Sequence, residues 1–145
     1  MESRRYADEA MTSGMNCAQA VLTFFAGDYG LSEADALRIA AGFGSGMRMA
    51  SVCGAVTGAI MVLGLHHSMT EAANAEAKRN TNAATAVFTE RFRAIHPTVM
   101  CEGLLGLDVT TPEGLAHARE QGLFVSQCRG YVADAIDILK DLLKE

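Results

Sequence analysis

The sequence predicts an all-α fold, and three observations carry that expectation. Apolar residues recur at helical spacing along most of the chain, and alternating strand patterns are almost absent. The two prolines both stand where a helix would stop or start. Side chains able to cap helices precede most of the apolar stripes. A chain of 145 residues is most simply one domain, here spanning 1–145. At this length folding hides roughly 68–70% of the unfolded chain's surface, enough for a core without disulfide staples.

The elements follow in order. Residues 2–12 read as a short polar helix with Tyr6, Ala7, Ala10 and Met11 on its apolar side. Asn16 reads as an N-cap, with Gln19 three residues on completing a capping-box pattern. The helix it opens places Cys17, Val21 and Phe25 on one face and ends at Gly27 or Gly30. Ser32 caps a third helix, with Ala36, Ile39 and Ala40 facing inward. That helix runs into a loop over 42–51 with glycine at 42, 44 and 46. Ser51 is the expected cap of a central helix over about 52–66, which would put Cys53 at its second position. Gly54, Ala55, Gly58, Ala59 and Gly64 make this helix thin, so neighbouring helices can approach its backbone closely. The expected architecture is therefore a helical bundle around this Gly/Ala-rich helix.

Thr70 is the expected cap of the longest helix, which runs to Ile95 ahead of Pro97. Its first half, 71–86, is rich in alanine and asparagine. Its second half carries an apolar stripe of Ala84, Phe88, Phe92 and Ile95. Thr98 caps a short helix that carries Cys101 and ends near Gly106. Thr111, Pro112 and Glu113 mark another helix start. Ser126 caps the last helix, with Cys128 at its second position and Val132, Ile136, Leu139 and Leu143 as its stripe.

Composition removes several function classes. Half the residues are hydrophobic and 20% are charged, so the chain is not of the disordered type. A net charge of -5 argues against nucleic acid, which needs a basic footprint, and against anionic lipid. The longest apolar run, 55–65, falls short of the roughly 18–20 residues that span a bilayer, so no membrane insertion is expected. Arg4 and Arg5 have no apolar stretch behind them, so neither a secretory nor a twin-arginine signal is read and a cytoplasmic location is the expectation. Permanent disulfides are rare there. The four cysteines are then expected to be reduced, metal-bound or redox-cycling.

Cys17, Cys53, Cys101 and Cys128 each fall in the first turn of an expected helix. Unpaired N–H groups and the helix dipole stabilise a thiolate there, and the thiolate is the form that does redox chemistry or binds metal. The bland alternative is that four small buried residues suit helix entries near a core.

The stretch from Cys53 to Gly58 reads CGAxxG. With Cys17 before it and Cys101 and Cys128 after it, the chain resembles the C_GCAxxG_C_C family, whose members are described as redox-active. Supporting stretches are Asn16 to Val21, Ala41 to Met47, Val62 to Leu65, Phe88, Phe92, and Cys101 followed by Leu104-Leu105-Gly106. The likeness covers roughly 14–140. It implies redox chemistry at the four cysteines and an unidentified redox partner protein. A related helical module is present in some multihaem proteins, where cysteines have been linked to an iron–sulfur centre. No CxxCH occurs in this chain, so covalent haem is not implied.

Three states of the cysteine set compete. Two cysteines can cycle between dithiol and disulfide, as in a thiol oxidoreductase, with Cys53 reacting first and Cys17, Cys101 or Cys128 resolving it. Cys53 is favoured because it follows the glycine loop and because Arg48 can supply positive charge. Alternatively the four thiolates hold an iron–sulfur cluster or zinc. Those centres usually take closely spaced cysteine pairs, and none occurs here. The third reading is a structural helical partner protein with inert cysteines.

The remaining candidates are weaker. No strand precedes the glycine loop and no phosphate-binding motif matches it, so it reads as a tight turn over Cys53. His66 and His67 suit the C-terminus of the central helix, about 20 Å from Cys53 at 1.5 Å per residue. His96, near Cys101, is the one histidine kept as a proton partner or ligand. Met47, Met49, Met61 and Met69 are soft donors in type, but Met61 reads as core filler and Met47 and Met49 as the mouth of a pocket. Lys78, Arg79, Arg91 and Arg93 read as solvated helix faces. Segment 71–86 suits water or close contact with a second subunit, which allows a homodimer.

Overall fold

The structure, a computed structural model, describes residues 2–67 and 70–144. Among these the chain is all-α, with helices α1 (Ser3–Thr12), α2 (Cys17–Ala26), α3 (Glu33–Ala40), α4 (Gly54–His66), α5 (Ala75–Ile95), α6 (Cys101–Leu105), α7 (Pro112–Glu120), α8 (Leu123–Ser126) and α9 (Cys128–Leu142). Strand pairing among the described residues is limited to a single antiparallel bridge, Val52 with Met100.

Two helices form the hub. α2 packs against α1, α3, α4 and α9, and α4 packs in turn against α5 and α9. As its glycines and alanines predict, α4 is thin and buries Gly54, Ala55, Val56, Gly58, Ala59, Val62 and Leu63. A Cβ on Gly58 would lie 2.9 Å from the Ala18 carbonyl oxygen and 3.1 Å from the Val21 Cβ. Only a glycine lets α2 sit this close. Phe88, Phe92, Leu22, Leu63, Ile136 and Leu139 are fully buried between the helices. Burying each such side chain contributes about 1.5–3 kcal/mol. α1 is tied to α9 by the Ser3 hydroxyl on the Asp137 carboxylate and by an Arg129–Asp8 contact of 3.3 Å.

Several expected boundaries move. The central helix begins at Gly54, and Cys53, not Ser51, is its N-cap. Ser51 is used elsewhere, its carbonyl accepting from the Cys101 N–H at 2.7 Å. The longest helix is capped by Asn74, whose side chain accepts from the Ala77 N–H, rather than by Thr70. Met100 is the N-cap of α6, and Thr98 stands two residues earlier with its hydroxyl accepting from the Met100 N–H at 3.1 Å. Ser126 ends α8, and α9 starts after Gln127. Ile39 is 54% and Ile95 57% exposed. The apolar stripes place both inward, yet Ile39 stands off the face on which α3 buries Ala36 and Ala40, and Ile95 is the last residue of α5. Met69 lies outside the described residues.

The loop after α3 gives the largest departure. Its conformation is not set by Gly42 or Gly44. Ser45, Met47, Arg48 and Ala50 have φ of 51, 60, 61 and 52°, with Gly46 at 60° among them. A left-handed conformation costs a non-glycine residue roughly 1–2 kcal/mol. The turn is closed by the Ser51 N–H on the Gly46 carbonyl at 3.0 Å. Gly46 is required at its position: a Cβ would lie 2.5 Å from the Ser51 nitrogen and 2.9 Å from the Cys101 Cβ.

Candidate functional site

The four cysteines, scattered in sequence, line one cavity of about 230 Å³. All are free thiols; Cys53, Cys101 and Cys128 are buried and Cys17 is partly exposed. Three of them, Cys17, Cys101 and Cys128, are the first residues of α2, α6 and α9, and Cys53 caps α4. The expectation of four helix N-termini holds, and these termini meet in space.

Local interactions fix each one. The capping box opening α2 is complete: the Asn16 side chain accepts from the Gln19 N–H at 2.8 Å, and the Gln19 side chain accepts from the Asn16 N–H at 2.9 Å. Both side chains also donate outward, Asn16 to the Ala40 and Ala41 carbonyls and Gln19 to the Leu37 carbonyl. Cys17 is thereby tied to the end of α3. Cys53 and Cys101 are set by the antiparallel bridge, in which the Cys53 N–H donates to the Val99 carbonyl and the Cys101 N–H to the Ser51 carbonyl, both at 2.7 Å. Side chains alternate across such a bridge, so Cys53 and Cys101 share the face opposite Val52 and Met100.

The CGAxxG motif has a direct steric reading. A Cβ on Gly54 would lie 2.8 Å from the Ala18 nitrogen and 3.0 Å from the Cys17 Cβ. Gly54 and Gly58, one turn apart, together let the start of α2 rest on α4. That contact brings Cys17 to Cys53.

The thiols are not equivalent. Cys17 is held well above the ordinary thiol range, first by hydrogen bonding to Cys128, then by hydrogen bonding to Cys53, and then by burial. Cys53 is lowered, chiefly because the Cys17 thiol donates towards it. Burial opposes this shift, and the N–H groups of Ala55 and Val56 add to it. Those N–H groups face the sulfur without making a full cap hydrogen bond. Arg48, expected to supply the activating charge, is not among the groups that lower Cys53. Cys101 is pushed up to about 12 by burial and by the neighbouring charges of Cys53 and Cys128. The chemical result is a donor thiol, Cys17, beside an acceptor of thiolate character, Cys53.

Other residues of the cavity were missed or misplaced in the sequence. Tyr131 lines it, with its hydroxyl donating to the Leu104 carbonyl at 2.8 Å. Burial, and then the charge of the cysteines, raises its pKa. Its position three residues after Cys128 on one helix face was an available signal. Arg119 also lines the cavity, and nothing in the pattern of α7 marks it out. Met47 and Met49 do not line it, and Met49 is 67% exposed. His96 is not part of it either. Its Nε2 lies 2.8 Å from the Asp134 carboxylate, and its ring meets Tyr131 edge-on at 4.9 Å.

Four thiols are a donor set of the type that clusters and zinc use. Among the described residues, however, no three His, Cys, Asp or Glu side chains converge as a metal ion requires. As placed, the thiols do not form a site for a single metal ion such as zinc.

An all-α protein with four cysteines at four converging helix ends is a distinct class of molecule. The family described as "Putative redox-active protein (C_GCAxxG_C_C)" matches residues 15–142, and the chain belongs to that family. No curated protein and no solved structure matches it. Among the described residues no helix is long and apolar enough to cross a membrane.

Proposed function

We propose that the redox role of this family is carried out here by dithiol/disulfide exchange, with Cys53 as the reactive thiol and Cys17 as the resolving one. The supporting observation is the opposed pair: hydrogen bonding to Cys128 and then to Cys53 raises Cys17, and the Cys17 thiol donating towards Cys53 lowers Cys53. The Cys53 thiolate attacks one sulfur of a substrate disulfide. The substrate S–S bond breaks and one thiolate leaves and takes up a proton. Once Cys53 is in a mixed disulfide it no longer carries charge, so one of the influences that hold the proton on Cys17 is removed. Cys17 then gives up its proton and attacks the Cys53 sulfur, the mixed bond breaks, and the second substrate thiolate leaves. Two electrons pass from the Cys17–Cys53 pair to the substrate, and the reverse sequence oxidises a dithiol.

The test is oxidation of the reduced protein by a small symmetric disulfide, read by intact mass and peptide mapping. Wild-type protein is expected to lose two hydrogens and gain a Cys17–Cys53 bond. Cys17→Ser should stop as the Cys53 mixed disulfide, and Cys53→Ser should form neither. Cys53→Ser oxidising at the wild-type rate would sink the assignment. A second reading, an iron–sulfur cluster on the same residues, draws on one observation: all four cysteines face a single cavity. Visible absorption after anaerobic iron and sulfide addition, lost on removing any one cysteine, would favour that reading.

A further inference from the structure

We propose that the cysteine cavity is selective for small anionic thiol or disulfide substrates, with Arg48 and Arg119 as the groups that receive the acid. This substrate class rests on the dithiol reading above. Both arginines line the same cavity as the four cysteines, and among the described residues no Asp or Glu does. The chain as a whole has 17 acidic residues against 12 basic ones, so an acid-free cavity with two guanidinium groups runs against the average surface. Arg38 pairs with Asp35, Arg5 with Glu9 and Arg129 with Asp8. Among the described residues Arg48 and Arg119 make no such pair, so both charges remain available to a ligand.

The backbone supports the same conclusion. Arg48 stands at φ 61° within a run of left-handed residues. Strain of this kind persists only where the surroundings hold it, and it gathers at binding and reaction sites. The loop is held by the Gly46–Ser51 turn and by the bridge that carries Cys53 and Cys101. One hydrogen-bonded segment therefore carries both the proposed nucleophile and a cation. Arg119 enters from α7, an independent element. A guanidinium matches a carboxylate in planar, bidentate geometry. A cavity of about 230 Å³ suits a molecule of a few heavy atoms on either side of its sulfur.

The experiment compares charge-matched probes on the reduced protein. Alkylation at Cys53 is followed with iodoacetate and iodoacetamide, and the ratio of rates is referred to that of a free small thiol. The ratio cancels any change in the Cys53 pKa. In wild type it should favour iodoacetate by about three- to tenfold relative to the free thiol, the size expected of one or two exposed charge contacts. The preference should shrink at high salt and fall towards one in Arg119→Gln and in Arg48→Gln. Arg119→Gln is the safer variant, since α7 is an ordinary helix and its fold can be checked by circular dichroism. Oxidation rates with dithiodiglycolate, bis(2-hydroxyethyl) disulfide and cystamine, which are anionic, neutral and cationic, should follow the same order. A Cys53 ratio equal to that of the free thiol, or one unchanged by both substitutions, overturns the proposal. If no disulfide oxidises the protein but the arginine-dependent iodoacetate preference stands, the anion site survives and the dithiol reading falls.

Discussion

At the scale of single residues, the cavity separates four chemically identical side chains. Cys53 lies at a helix N-terminus, accepts a hydrogen bond from the Cys17 thiol and faces two N–H groups. Cys101 also starts a helix, yet burial and neighbouring charge push it up to about 12. Placement at a helix end is thus not sufficient; the sulfur must also have a donor. Two predictions belong here. Alkylation by iodoacetamide should label Cys53 first, with a rate that rises with pH to a midpoint below the ordinary thiol value of about 8.5. Cys101 should stay unlabelled in the folded protein until strongly alkaline pH. Peptide mapping at a series of pH values checks both, and labelling of Cys101 ahead of Cys53 would contradict them. Replacing Cys17 by Ser, whose hydroxyl also donates a hydrogen bond, should keep the Cys53 midpoint low. Replacing it by Ala, which removes the donor, should move the midpoint upward.

At the scale of elements, the site is made by how closely α2 can approach α4. Gly54 and Gly58 face the Ala18 backbone at under 3 Å for an added Cβ. Gly58→Ala should therefore destabilise the fold by about 1–3 kcal/mol, the usual cost of forcing a methyl group into a packed contact. It should also slow Cys17–Cys53 disulfide formation, because it pushes the two helix ends apart. Gly64→Ala is the control on the same helix, with nothing within 4 Å of the added Cβ. There the lower entropy of the unfolded chain should give a gain of about 0.4–1 kcal/mol. Chemical denaturation of the two variants beside wild type reads both signs. Much of this element scale was legible in the sequence. The capping box at Asn16 and Gln19, the thin helix over Cys53 to Gly58 and the stripe of Val132, Ile136 and Leu139 all follow from local pattern. The helix starts expected at 51 and 126 give way to other structure. An N-cap turns its carbonyl into its own helix, whereas the Ser51 carbonyl accepts from the Cys101 N–H in a bridge between distant segments, and Ser126 is the last residue of α8. The left-handed run at 45–50 was not legible at all, because three glycines drew attention to themselves while Ser45, Met47, Arg48 and Ala50 carry the strain. Arg119 was hidden in the same way: its role arises from where α7 docks, not from its own neighbours in sequence.

At the scale of the whole molecule, the thiols couple the cavity to folding stability. A group whose folded pKa differs from its unfolded one makes stability depend on pH, by about 1.4 kcal/mol per pH unit across the window between the two values. Cys53 is lowered on folding. Below the unfolded thiol value, the unfolded chain holds its proton and the folded one does not, so stability rises with pH until about 8.5. Cys17 and Cys101 are raised on folding. Above about 8.5 the unfolded chain has lost these protons while the folded one keeps them, so their contribution is full below that value and declines as pH climbs. The two senses meet near the ordinary thiol pKa and should produce a maximum there in the thiol contribution. Urea denaturation of the reduced protein from pH 6 to 10.5, in parallel with a variant carrying Ser at all four cysteine positions, isolates that contribution by difference. The difference should climb into the maximum and then fall by more than about 1.4 kcal/mol per pH unit, because Cys17 and Cys101 each contribute that slope there while Cys53 has lost its proton in both states. A difference that is flat across pH 6 to 10.5 would mean that the four thiols titrate in the folded protein as they do in the unfolded chain. The unequal thiols on which the Cys53–Cys17 assignment depends would then be absent.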